Sequence, residues 1–385
     1  MRRTRGRIWR AALAFLPLFA AVGCWGSKDI QNQAYATAIG LDYNNGQFSA
    51  YVQVLNFGNV ARSENMEPGK EVPVWIGHAE GGLISEALNK LHFTSQFPLY
   101  WGHTQVVIVT ERFLRDAGIR EAIRAINRYR EVRYNIFLYG TREKLTDLFV
   151  QKSIFNLSPL DTIMAMPKQA RKPMTGNRFI SKLDEAGSPA MLPSIRIDNE
   201  VWKEDKKRKP MLRIDGGYFF TNGNLTSWMS EEELSGGKWT RGLLHETSIK
   251  VPAKKPYVAS VMVTKSVLSI KPRYQSGRPT FHIKVRAIGF VVELLEDESV
   301  RTLEKLSADV IRKQVHETFL KGVANRCDPF GLQQSFYRKF PREWRALGGE
   351  EEFQLKPDSI VSFDVKVKLN STGKYKGRVD GSRHE

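Results

Sequence analysis

The chain has 385 residues, with 59 Lys and Arg against 41 Asp and Glu for a formal net charge of +18, and it is 41% hydrophobic and 11% aromatic. This composition excludes a disordered or collagen-like chain, and a count of only two cysteines excludes a disulfide-built scaffold. The length provides for two or three domains with cores of their own.

The first ten residues, MRRTRGRIWR, hold five arginines and no acid. An apolar run from Ala11 to about Val22 follows, then Gly23 and Cys24. A basic start, a short apolar core and small residues at its end describe a secretory signal peptide over residues 1–23. The run is too short for the roughly 20 apolar residues of a membrane-spanning helix, and no later segment is long and apolar enough either. Ala21-Val22-Gly23-Cys24 resembles a bacterial lipobox, in which the cysteine thiolate takes up a diacylglycerol as a thioether and becomes the new amino terminus. Cys24 is therefore the expected lipidation site, carrying diacylglycerol and a further acyl chain such as palmitate, and no other cofactor or metal is expected. Two or three acyl chains, at about 0.8 kcal/mol per buried methylene, hold a protein on a bilayer almost permanently. Acylated Cys24 leaves Cys327 without a disulfide partner, and Cys327 is expected to pack as a small buried hydrophobe. Removing the five leader arginines lowers the charge from +18 to +13. The remaining basic residues are scattered and are expected as a diffuse solvated face; the alternative is contact with an anionic lipid surface or acidic partner loops, while export and the lack of a nucleic-acid motif argue against nucleic acid.

The mature chain is expected to open with a mixed α/β domain over residues 24–200. Residues 34–55 alternate as two strands around Tyr43-Asn44-Asn45-Gly46, a hairpin signal. Ile84, Ala87, Leu88 and Leu91 share one helical face, and HTQVVIVT is a short apolar strand. Residues 111–130 read as one helix with Ile119, Ala122, Ile123 and Ile126 inward, RYNIFLYG as another strand, and Thr141 as the cap of the helix after it. Residues 201–210 form a charged linker or exposed hairpin.

An α+β domain is then expected over 211–380, opening with a hairpin about Asn222-Gly223. Its strands are YVASVMVTKSVLSI and PTFHIKVRAIGFVVEL, the second alternating Phe281, Ile283 and Val285. A long helix from Ser299 to about Ala324 carries Leu303, Leu306, Val310 and Phe319 as a stripe, and SIVSFDVKVKLN closes the domain as a strand. Phe330, Phe336, Tyr337, Phe340 and Trp344 recur at helical intervals and are expected in the core; the alternative is a docking surface.

Catalytic constellations are not evident. The sequence lacks a phosphate-binding glycine loop, a dinucleotide fingerprint, HExxH and GxSxG. His78, His92 and His103 are expected as ordinary histidines and not as a metal site. Asp328 and Glu343 could imitate a carboxylate pair, but a solvated or salt-bridged role is expected. The protein is accordingly expected not to be an enzyme.

Several segments together resemble one family. GCWGSKDI with AIGLD, WGHTQVVIVTERFLRDAGI, GGYFFTNGNLTSWMSEEELSGGKWTRGLL, CDPFGLQQSFYRKFPREW and the final LNSTGKYKG resemble, in order, the Ger(x)C lipoproteins, the C subunits of spore germinant receptors. Gly26, where members usually carry an acid, and Asp328-Pro329-Phe330-Gly331-Leu332 mark a divergent member. The resemblance implies a lipid-tethered, non-enzymatic subunit acting with two polytopic membrane subunits, A and B, on the outer face of the spore inner membrane. It also implies that nutrient recognition lies mainly with the B subunit, and that the fold is a mixed arrangement of subdomains. A substrate-binding lipoprotein of an import system is the alternative, for which two doubly wound lobes would be needed; a cell-wall hydrolase is a third.

Overall fold

The computed structural model describes residues 33–55, 73–128, 131–133, 135–152, 174–240, 243–252 and 254–370. β1 (Ala34–Asn44) and β2 (Gln47–Leu55) form the expected hairpin. Its two-residue turn holds Asn45 at φ 49 and Gly46 at φ 80, the left-handed pair that a tight hairpin of matching twist requires. β3 (Trp75–Gly81) pairs with β2 and leads into α1 (Ile84–Thr94), which buries Ile84, Ala87, Leu88 and Leu91 as the spacing predicts. After the short β4 (Leu99–Tyr100), β5 (Val106–Thr110) lies parallel to β1 with all five residues buried, as suits a central parallel strand.

The region expected as a single helix over 111–130 is two helices, α2 (Glu111–Asp116) and α3 (Ile119–Arg128). Gly118 at φ 81 breaks them, because a left-handed residue cannot continue an α-helix. Ile119, Ala122 and Ala125 are buried, while Ile123 and Ile126 pack half-buried against the same core. β6 (Phe137–Thr141) follows, parallel to β5, then α4 (Leu145–Phe149). Thr141 does not cap α4. Its hydroxyl donates to the Ile195 carbonyl at 2.9 Å and accepts from the Glu143 N–H, so it ties two strand ends together.

β7 (Met174–Thr175), α5 (Gly176–Asp184) and β8 (Ala190–Asp198) extend the unit, with β8 parallel to β6. β9 (Lys203–Glu204) and β10 (Lys207–Arg208) make an exposed charged hairpin where a linker or hairpin was expected. β11 (Met211–Thr221) and β12 (Asn224–Ser230) turn at Asn222-Gly223 as predicted, but they do not open the second unit. β11 pairs antiparallel with β8 along nine residue pairs, completing a ten-stranded sheet in the order β12-β11-β8-β6-β5-β1-β2-β3, with β4 on β1 and β7 on β6. The long antiparallel register with β8 is what draws the hairpin into the first sheet. Val107 and Val109 face α1, α2, α3 and α5, whereas Val106 and Ile108 face Leu145, Leu148 and Phe149 of α4, so helices cover both faces.

The second unit is a four-stranded sheet, β13 (Leu243–Val251), β14 (Ala259–Gln275), β15 (Arg278–Leu294) and β16 (Ile360–Leu369), in that spatial order. β14 and β15, 17 residues each, form a hairpin closed by Ser276 and Gly277 at φ 51 and 75. β16 lies parallel to β15, and the crossover between them holds α6 (Val300–Ala324), α7 (Leu332–Lys339) and α8 (Pro341–Ala346). Helices and strands are thus segregated along the chain, as in α+β proteins. Ser299 caps α6 by accepting the Thr302 N–H at 3.1 Å. Leu303, Val310, Ile311, Val315 and Phe319 bury the face of α6 against Phe281, Ile283 and Val285, and Leu306 lies half-buried at the margin.

Candidate functional site

The two units meet where the CDPFG block leaves α6. Cys327 is buried against Met229 and Phe219 of the first sheet, with its Sγ 3.4 Å from the Met229 Sδ, and burial pushes the thiol up to about 12. It is the small inert hydrophobe that was expected.

Asp328 is neither solvated nor salt-bridged. Its Oδ1 accepts the N–H groups of Phe330 at 3.1 Å and Gly331 at 2.9 Å, and its Oδ2 accepts the Gln333 N–H at 2.7 Å. Burial pushes the carboxyl up to about 6, against the lowering pull of these donors. A carboxylate bound this way organises the turn into α7. Glu343 sits half-buried in the first turn of α8 and does not join those donors.

Around this turn, Gly187 (φ 64) packs on the backbone of Gln333 and Gln334, and Gly331 (φ 77) lies against Pro189. Arg338 on α7 pairs with Glu185 at 2.5 Å, which together with the Gln334 side chain lowers the Glu185 carboxyl against its partial burial. A cleft of about 220 Å³ beside the turn is lined by Thr226, Val323, Arg326, Gln333 and Phe353. It is small against the roughly 300–1,000 Å³ of ligand pockets. A shallow groove of about 570 Å³ bridges Arg120 and Asp184 to Trp344, but its two charges already pair with each other at 3.0 Å. The junction is built as an interdomain contact.

The aromatic residues beyond it are core. Phe330, Phe336 and Trp344 are buried and Tyr337 and Phe340 half-buried in one cluster, with Phe336 5.8 Å from Phe353 and 6.4 Å from Trp344, centroid to centroid.

Open α/β sheets bind ligands at the carboxyl ends of their parallel strands, where the strand order reverses. Here β1 and β5 supply that position, and it is filled by ion pairs. Asp42 accepts the Thr110 hydroxyl at 2.5 Å and pairs with Arg112. Glu111 pairs with Arg115 at 2.5 Å and with Arg142, and accepts the Tyr218 hydroxyl at 3.2 Å. The Arg142 guanidinium lies 4.0 Å from the Trp228 ring centroid, and burial first, then the Glu111 charge, raises the Tyr218 phenol. Sequence reasoning missed this network, because its partners lie up to 107 residues apart and no short motif joins them.

The three histidines do not converge. His78 stacks on Tyr51 with centroids 4.3 Å apart, His92 lies beside Phe93, and His103 meets Tyr35 edge-on at 5.1 Å. Among the described residues no group of three or more His, Cys, Asp or Glu could hold a metal ion, and no helix is long and apolar enough to cross a membrane. Cys24 lies outside the described residues.

Fold and junction together define a two-unit mixed α and β protein with a fixed interdomain contact. The sequence profile described as the spore germination protein N-terminal domain matches residues 26–197, and that described as the spore germination B3/GerAC-like C-terminal domain matches residues 215–373. The chain belongs to the Ger(x)C family of spore germination proteins. It is 24% identical to spore germination protein KC of Bacillus subtilis strain 168, over 94% of this chain and 95% of that protein. It is 21% identical to spore germination protein B3 of the same organism, over 94% and 97%. The crystal structure of the GerBC protein matches with a TM-score of 0.55 at 18% identity, covering 86% of this chain and 97% of that one, and it shares the fold.

Proposed function

We propose that this protein is the lipid-anchored, non-enzymatic C subunit of a spore nutrient-germinant receptor. It is held on the outer face of the spore inner membrane by an acylated Cys24 and acts with two integral membrane subunits to trigger germination. The observation that carries this reading is membership of the spore germination family along both units, joined to the lipobox-like Ala21-Val22-Gly23-Cys24 behind a basic, apolar leader. The junction supports a part played by contact and not by chemistry, since Asp328 is bound by its own turn. An import-system binding protein would present two doubly wound lobes around a cleft. Only the first unit here has that character, and the second is a largely antiparallel sheet.

The test is Cys24→Ala in the native host. The variant is expected in the soluble or unprocessed fraction, with the nutrient response lost. A variant that still fractionates with membranes and germinates normally contradicts the reading.

A further inference from the structure

The parallel strands β1, β5 and β6 start at one edge of the first sheet, and that edge differs from the ion-paired edge at their other end. The first described strand starts there, where the Ala34 N–H donates to the Pro98 carbonyl at 3.0 Å. Phe97 precedes Pro98 and is 48% exposed. The register Ala36–Val54–Trp75 runs across β1, β2 and β3, which brings Trp75 to the same edge at 67% exposure. α1 packs back along β3, with Gly81 beside Glu86 and Gly77 beside Leu91, so its last turn ends next to Trp75. Phe93 in that turn is 84% exposed. Tyr100, half-buried and 5.8 Å from Tyr35, adds a further ring. Arg128 ends α3 and Arg133 precedes β6, both exposed, and Glu131 between them is bound to the Trp101 N–H at 3.2 Å.

Large exposed apolar rings gathered with arginines are costly in water and are the side chains that settle at a bilayer's headgroup layer. We propose that this edge is a membrane-contact surface, which lays Trp75, Phe93 and Phe97 into the headgroup region of the bilayer that carries the Cys24 anchor. The inference rests on the lipid-anchor reading above. The tether supports it independently of the rings. Eight residues separate Cys24 from Gln33, nine residue steps or roughly 30 Å at full extension, and the described chain starts beside Pro98, next to Phe97. The opposite edge, with Asp42, Glu111, Arg112, Arg115 and Arg142 in ion pairs, is suited to water. The acyl chains give the affinity, the rings fix which edge faces the lipid, and the arginines match anionic headgroups.

The experiment uses the processed full-length lipoprotein, extracted in detergent and reconstituted into phosphatidylcholine–phosphatidylglycerol vesicles with acyl chains brominated near the headgroup. The processed chain keeps seven of the eight tryptophans, Trp9 leaving with the leader, and Trp25 beside the anchor is quenched whatever the orientation, so the readout is the difference between variants. Trp75→Phe is expected to lose a measurable share of the bromolipid-quenched fluorescence, and Phe93→Trp in that background to restore it. Equal quenching in all three, while each floats with the vesicles and carries acylated Cys24, overturns the surface and leaves the anchor standing. That result assigns the rings to a protein partner. An unmodified Cys24 by mass spectrometry, with no flotation, overturns both.

Discussion

Asp328 keeps its carboxyl near pKa 6 inside a turn that supplies three N–H donors, and this sets a sign for its effect on stability. The folded chain holds the Asp328 proton more tightly than the unfolded chain does. Between about pH 4 and 6 the native state therefore binds more protons, and this residue's contribution to stability rises as the pH falls through that range. Asp198 and Asp364 work in the opposite direction, because donors and arginines lower their carboxyls. Only a comparison with Asp328→Asn isolates the residue. Denaturant unfolding from pH 7 down to 4 is expected to shift the stability difference towards the wild type by on the order of 2–3 kcal/mol. A difference that stays flat with pH contradicts a buried, titrating Asp328. The chain itself carries a sign of this role, Asp followed by Pro and then Gly three residues on, which favours a side chain bonding its own backbone. An expectation of solvation treated Asp328 as an average aspartate and passed over that signal.

At the scale of elements, the 235–240 segment is held on α6 by close approach. Trp239 is fully buried and donates from Nε1 to the Gln314 Oε1 at 2.8 Å, while the Gly236 N–H donates to the Thr318 hydroxyl at 2.9 Å. A Cβ on Gly236 would sit 2.4 Å from the Gln314 carbonyl oxygen and 2.6 Å from the Val315 Cα, both backbone atoms that cannot swing aside. Gly236→Ala is expected to lower the unfolding free energy by about 1–3 kcal/mol, measured by chemical denaturation, through forced separation of the segment from the helix. Gly237→Ala, where a Cβ meets nothing within 4 Å, is the control. An equal loss in both contradicts the close-packing account. Elements of this size were legible where a local rule decides them. Asn45-Gly46 and Asn222-Gly223 fixed two hairpins, and the spacing of Ile84, Ala87, Leu88 and Leu91 fixed a helix face. The break at Gly118 was missed because apolar periodicity continues on both sides of it.

At the scale of the whole molecule, long-range pairing decided what local pattern could not. Nothing within β11 and β12 states which sheet they join, and only the register with Ala190–Asp198 assigns them to the first. The candidate site was legible in its residue types and not in its geometry. Cys327 and the 330–344 aromatics were expected in the interior and lie there, whereas the pairing of Arg338 with Glu185 spans 153 residues and left no mark on either segment. The described part of the first unit starts on the edge that carries Trp75, Phe93 and Phe97. The central claim is that a thioether-linked lipid at Cys24 holds this two-unit body at a membrane. Mass spectrometry of the amino-terminal peptide, taken from protein purified out of spore membranes, tests it most directly. The expected result is a chain beginning at Cys24 with the mass of a diacylglycerol and any further acyl group on that residue. A mature chain with a free Cys24 thiol, or one that retains the arginine-rich leader, would contradict it.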